Sequence, residues 1–185
     1  MRLPAVLSRI DLPEPELHAA ALDGELLPIG GAFCPTDSIP CADLRAASVA
    51  AEAGPRAIAE QLTAAWIYGL LTSPPARLQL CVDATSGYRP LSTARQAFRE
   101  VVIGPEDVLT LGGMPVTTPL RTAIDMARAP HANGAIIVAL SRLGRGFTLE
   151  DCTAVIETRR NLPHRNRAIS VLTEAFRPVA QVSPR

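Results

Sequence analysis

The stretch Met114-Pro-Val-Thr-Thr-Pro-Leu-Arg-Thr-Ala-Ile-Asp-Met-Ala127 constrains this chain most, because it forces a change of secondary structure at a defined point. Val116 suits the end of a strand, and Thr117 and Thr118 offer hydroxyls to cap a helix. Pro119 fits the first helical position, where its missing N–H would have had no partner anyway. Leu120, Ile124 and Ala127 then fall on one helical face with Ala123 beside them, and Arg121 and Asp125 lie one turn apart on another. Arg before Asp is the weaker order for an exposed helical pair, so the expectation is a buried structural bridge that holds the strand–helix corner.

The rest of the chain is organised around that corner. Leu3 to Arg9 reads as a short helix and Glu14 to Leu22 as a second, ended by Asp23-Gly24. Glu25-Leu-Leu-Pro-Ile-Gly-Gly-Ala-Phe-Cys34 reads as a hairpin whose Gly30-Gly31 can take positive φ. Helix, helix, hairpin is the outline of an abbreviated winged-helix unit over residues 1–38, with a linker after it. A second domain over 42–180 is expected to be mixed. Helices are expected at Ala42–Ala53 and from about Ala57 to Leu71, the latter with an Ile58, Leu62, Trp66, Leu70 stripe that makes Trp66 a core anchor. A small sheet then spans about 77–117: Arg77–Val82, Ala97–Ile103, and two shorter strands around Gly112-Gly113. The part from 118 to 177 is helical. It includes a helix from Ala135 to Leu143, one capped by Thr148 with Arg159 and Arg160 in its last turn, and one from near Pro163 that buries Ile169, Leu172 and Phe176. The fold class is α+β.

Composition removes several functions. The chain has 185 residues, enough for one ordinary domain and a small appendage, and its apolar runs are short. No membrane span is expected, and the first residues lack the apolar core of a secretory signal, which points to the cytoplasm. Cys34, Cys41, Cys81 and Cys152 are dispersed and suggest neither a zinc site nor a disulfide framework; Cys81 reads as a buried small hydrophobe. All 18 basic residues are arginine. Without lysine there is no phosphate loop, no Schiff base and no metal nuclease of the Asp…Glu-x-Lys kind.

The wording of three segments resembles one family, the actinobacterial AbiEi-like antitoxins of type IV toxin–antitoxin systems. The 114–127 stretch is similar to its V-T-(S/T)-P-x-R-T-x-x-D-(L/M)-A block. Leu62-Thr-Ala-Ala-Trp-Ile-Tyr-Gly-Leu70 resembles a helix written A-A-x-(L/W)-x-(H/Y)-G-L, and the Glu25–Cys34 hairpin resembles the family's wing. The resemblance implies a cytoplasmic antitoxin. Its N-terminal winged helix would repress its own operon, and its C-terminal domain would counter a nucleotidyltransferase toxin. Many relatives carry a further endonuclease-like domain, which would begin about where Gln181–Arg185 stand, so that activity is not expected here.

Charge departs from this pattern. In the N-terminal unit Arg2 and Arg9 stand against Asp11, Glu14, Glu16, Asp23, Glu25 and Asp37, and the wing holds Pro28-Ile29 where relatives place arginine. Duplex affinity comes largely from neutralised phosphates, so an acidic module argues against DNA contact. Positive charge gathers instead near the C-terminus, at Arg142, Arg145, Arg159, Arg160, Arg165, Arg167 and Arg177. Arg159 and Arg160 suit a helix C-terminus, whereas Arg165 and Arg167 fall in a first turn, where the dipole disfavours cations. This arginine edge is expected to meet an acidic partner, either a toxin surface or a phosphate backbone. His18, His131 and His164 are far apart, and Asp83, Asp107 and Asp125 read as caps and turn formers, so neither catalysis nor a cofactor is expected. The leading reading is a type IV antitoxin-like transcriptional regulator. The alternatives are a protein-interaction module that has lost DNA binding and, behind it, a hydrolase or nuclease remnant.

Overall fold

A computed structural model of the chain describes residues 4–159 and 162–177. The fold is α+β, and the chain divides into two compact units between Thr118 and Pro119. The division falls inside the 114–127 stretch rather than at residues 38–42, because Ile29 and Cys34 of the hairpin share a core with residues 46–116.

Among the described residues 4–9 the first unit begins without the helix expected over Leu3–Arg9, of which Leu3 lies outside the described residues. Among its described residues, Leu7 instead pairs with Phe33, exchanging N–H···O bonds of 2.7 and 2.8 Å. The chain then turns on Ser8, whose N–H and hydroxyl both donate to Asp11 Oδ2. Helix α1 (Glu14–Leu22) and the hairpin β1 (Leu26–Ile29) and β2 (Ala32–Pro35) follow, with Leu7, Leu17 and Leu26 as a small core. Helix α2 is Ala42–Ala53. The main sheet contains β3 (Ile58–Ala59), β4 (Leu78–Asp83), β5 (Gln96–Val101), β6 (Val108–Leu111) and β7 (Met114–Thr117) in the order β5-β4-β3-β7-β6. Its β4–β5 and β3–β7 pairs are parallel, and its β3–β4 and β6–β7 pairs antiparallel. The register lines up Phe98, Leu80, Ala59, Val116 and Leu109 across five strands, which gives one apolar face. That face belongs to the core containing Trp66, Val49 and Ile29.

Residues 57–71 are not one helix. Arg56 (φ 61°) and Gln61 (φ 47°) take left-handed backbone on either side of β3, and α3 is only Gln61–Ile67. The four-residue spacing of Ile58 with Leu62 and Trp66 is therefore a coincidence of strand and helix. A Schellman motif ends α3: Gly69, at φ 84°, donates to Trp66 O, and Leu70 N–H reaches Ala65 O at 3.0 Å. Trp66 is buried and touches the hairpin turn, since a Cβ on Gly30 would sit 3.1 Å from the tip of the indole.

The second unit is helical: α4 (Pro119–Arg128), α5 (Gly134–Leu140), α6 (Leu149–Thr158) and α7 (Arg165–Ala175). Asn133 caps α5, and Thr148 with Asp151 forms a capping box on α6. Helix α7 packs on α4, α5 and α6 and buries Ala168 and Leu172; Ile169 and Phe176 are only half-buried. His131 lies in the turn before α5, and His164 is the N-cap of α7 at φ 58°. No helix among the described residues is long and apolar enough to cross a membrane.

Candidate interaction surface

The charged groups of the second unit are wired together from α4. Arg121 Nε lies 2.7 Å from Asp125 Oδ2, and Arg128 Nη1 lies 2.8 Å from Asp125 Oδ1. The side chains of Arg121 and Asp125 are 3% and 1% exposed and that of Arg128 11%, so two guanidinium groups share this carboxylate away from water. Two further bonds run between the ends of α4 and α7. Arg128 Nε donates to Pro163 O at 2.9 Å, and Arg167 Nη2 donates to Pro130 O at 2.7 Å.

This placement divides the arginine edge. Arg167 is exposed, yet its first-turn position has a tertiary reason, because its charge meets a carbonyl just past the C-terminus of α4. Arg165, the first residue of α7, is exposed and meets no acidic side chain among the described residues. Arg159 is the half-buried C-cap of α6, and Arg177 pairs with Glu174 at 3.0 Å. Arg142 and Arg145 are exposed. Arg2 and Arg160 lie outside the described residues. Arg9 is exposed in the turn after Leu7.

In the first unit the Leu62–Leu70 segment meets the 114–127 stretch. Tyr68 donates its hydroxyl to Thr117 O at 2.6 Å, and burial holds the phenol well above its ordinary pKa. Thr117 Oγ1 lies 3.3 Å from Ala59 O, and Thr118 N–H donates to Asp107 O at 2.8 Å. The end of β7 is thus tied to β3, to α3 and to the turn before β6. Pro119 begins α4, as its fixed φ favours.

An ion pair between a buried glutamate and a half-exposed arginine gave no signal in the sequence. Arg99 of β5 grips Glu60, at the end of β3, with Nε–Oε1 at 2.7 Å and Nη2–Oε2 at 2.5 Å. The partners stand 39 residues apart, and the sheet order alone brings them near. Neither belongs to a motif.

The remaining carboxylates do local work. Asp83 accepts from the Thr85 N–H and hydroxyl, which lowers its pKa, and Asp107 accepts from Gly104 N–H. Cys34, Cys81 and Cys152 are buried and Cys41 is exposed; burial pushes the Cys152 thiol up to about 12. Among the described residues no three His, Cys, Asp or Glu side chains gather as metal ligands do.

The family model described as the AbiEi antitoxin C-terminal domain matches residues 57–172, which takes in both the Glu60–Arg99 pair and the α4 triad. No curated protein matches the chain. Among solved structures, the crystal structure of the RV2827C protein from Mycobacterium tuberculosis is similar at 17% identity and a TM-score of 0.48, over 93% of this chain and 72% of that one.

Proposed function

The chain belongs to the AbiEi antitoxin C-terminal domain family, and from that membership we propose that it is a type IV antitoxin-like transcriptional regulator working in the cytoplasm. In this reading it binds the duplex upstream of its own gene, counters a nucleotidyltransferase-type toxin, and does both without catalysis or a cofactor. The family match over most of the chain carries the reading. Exposed Arg165, Arg142 and Arg145 on the helical unit support an acidic partner, since exposed guanidinium groups suit phosphates and carboxylates alike.

A second reading is a protein-interaction module that no longer binds DNA. Asp11, Glu14, Glu16, Asp23, Glu25 and Asp37 favour it, because all are exposed on the segment where relatives would place their reading head.

An electrophoretic shift of the upstream duplex, at low and physiological salt with a scrambled duplex as control, separates the two. Specific retention that survives physiological salt is expected for the regulator. A shift shared by the scrambled duplex, or none, transfers the function to a protein partner. Arg165→Ala should weaken any specific shift and lower its salt dependence by about one phosphate contact.

A further inference from the structure

The segment from Pro4 to Asp11 runs beside α2 and the β6–β7 turn, and a groove of about 470 Å³ opens between them. Val6 and Ile10 line it from the N-terminal segment, and Leu44 and Ala47 from α2. Ile10 is 78% exposed, an aliphatic side chain standing at the groove almost without cover. Its size suits one or two side chains of a bound segment, at the lower end of the range for recognition pockets.

The charged residues that line this groove are both acidic, Asp11 and Asp43, although Arg9 and Arg45 lie close to them in sequence. Residues 4–43 carry seven carboxylates, all exposed, against the single Arg9. Two of the seven, Asp11 and Asp43, line the groove itself. Asp11 accepts from Ser8, and Asp43 Oδ1 accepts from Gly112 N–H at 2.8 Å, which holds both carboxylates in place. Neither meets a cationic side chain among the described residues. Such a surface repels a phosphate backbone and attracts cations.

We propose that this groove is a docking site for a basic segment of a partner protein, which seats an aliphatic or aromatic side chain between Ile10 and Leu44 and sets arginine or lysine against Asp11 and Asp43. Apolar floor and unpaired carboxylates together select a segment that is both, as interface anchors with complementary charge do. Apart from Gly112, the lining residues precede the matched region, so the site stands independently of the operator reading and of the arginine edge.

Fluorescence polarisation of the full chain against short labelled peptides tests this. The probes carry a central leucine, phenylalanine or tryptophan flanked by arginines, with glutamate-flanked copies as controls. Arginine-flanked peptides are expected to bind and to weaken with salt, and glutamate-flanked ones not to bind. Ile10→Ala, on an exposed side chain, should cost about tenfold in affinity without changing the melting curve. Asp43→Asn keeps an acceptor for Gly112 and should weaken only the arginine peptides. Ala47→Phe should fill the groove and abolish binding; should it fail to fold, amide shifts on titrating the unaltered protein must map to residues 6–11 and 43–51. Equal binding of glutamate-flanked peptides, or binding indifferent to Ile10→Ala, overturns the proposal. So does a chain dimer, or a duplex complex, that is lost on Ile10→Ala.

Discussion

Replacing Asp125 by alanine takes away a carboxylate that lies between two guanidinium groups in α4, at 2.7 Å from Arg121 and 2.8 Å from Arg128. Asp125 is 1% and Arg121 3% exposed, so the pair lies away from bulk water. Removing one partner of a buried pair costs about 3–5 kcal/mol, because the stranded charge keeps its desolvation penalty and loses its compensation. Two guanidinium groups lose the same carboxylate here, although Arg128 keeps its bond to Pro163 O. Against a total stability of roughly 5–15 kcal/mol this is a large share. It corresponds to a fall in melting temperature on the order of 10 °C for a chain of this size. Urea unfolding followed by far-UV circular dichroism measures it: the midpoint should drop with the slope unchanged. Asp125→Asn should cost less, since its amide oxygen still accepts from one arginine. A loss below about 1 kcal/mol, the worth of an exposed pair, would rule out a structural role for the triad and free it for binding. Arg121→Ala discriminates further, because a structural bridge requires stability to fall before any partner affinity does.

Three other outcomes follow from the same geometry. Gly112→Ala should cost about 1–3 kcal/mol in the same assay, since its φ is 50° and a Cβ there would run into the Asp43 carbonyl; Gly113→Ala, at φ 81° in open space, should cost less. In native protein a thiol reagent should modify Cys41 alone, with Cys34, Cys81 and Cys152 reacting only after unfolding; fast native labelling of Cys152 would contradict its burial. Stability should also fall in alkali. Cys152 rises from 9.0 to about 12 on folding and Tyr68 is raised from 10.0, so the native state holds both neutral; the stability this gives is whole below pH 9 and lost as pH climbs toward 12, by up to about 1.4 kcal/mol per unit for each group. A melting temperature flat across that window would show both groups to be solvated.

Local chemistry made parts of this fold legible. The Gly30-Gly31 and Gly112-Gly113 pairs announced two hairpins because two-residue turns need positive φ, and Pro119 marked a helix start through its fixed dihedral and missing donor. Helices α1 and α2 have the bounds the sequence suggested, punctuated by Asp23-Gly24 and by Gly54-Pro55. Short strands between helices were not legible. Ile58 and Ala59 form a strand only because β4 and β7 flank them, and their apolar spacing matches a helix equally well. The site was legible where partners are neighbours in sequence, as in Arg121 and Asp125 one turn apart. It was not where the fold supplies the partner. Arg167 looked misplaced by helix electrostatics until Pro130 O appeared beside it, and Glu60 looked unremarkable without Arg99. Leu7 shows the same principle at the N-terminus, since pairing with Phe33 outweighs a weak helical tendency that no cap supports.

The antitoxin role is tested most directly by growth. A nucleotidyltransferase-type toxin, as the proposed function requires, is expressed in cells with and without the chain, at matched levels checked by immunoblot. Growth should arrest with the toxin alone and be restored when the chain is present. Arrest that persists with folded, abundant chain would contradict that role.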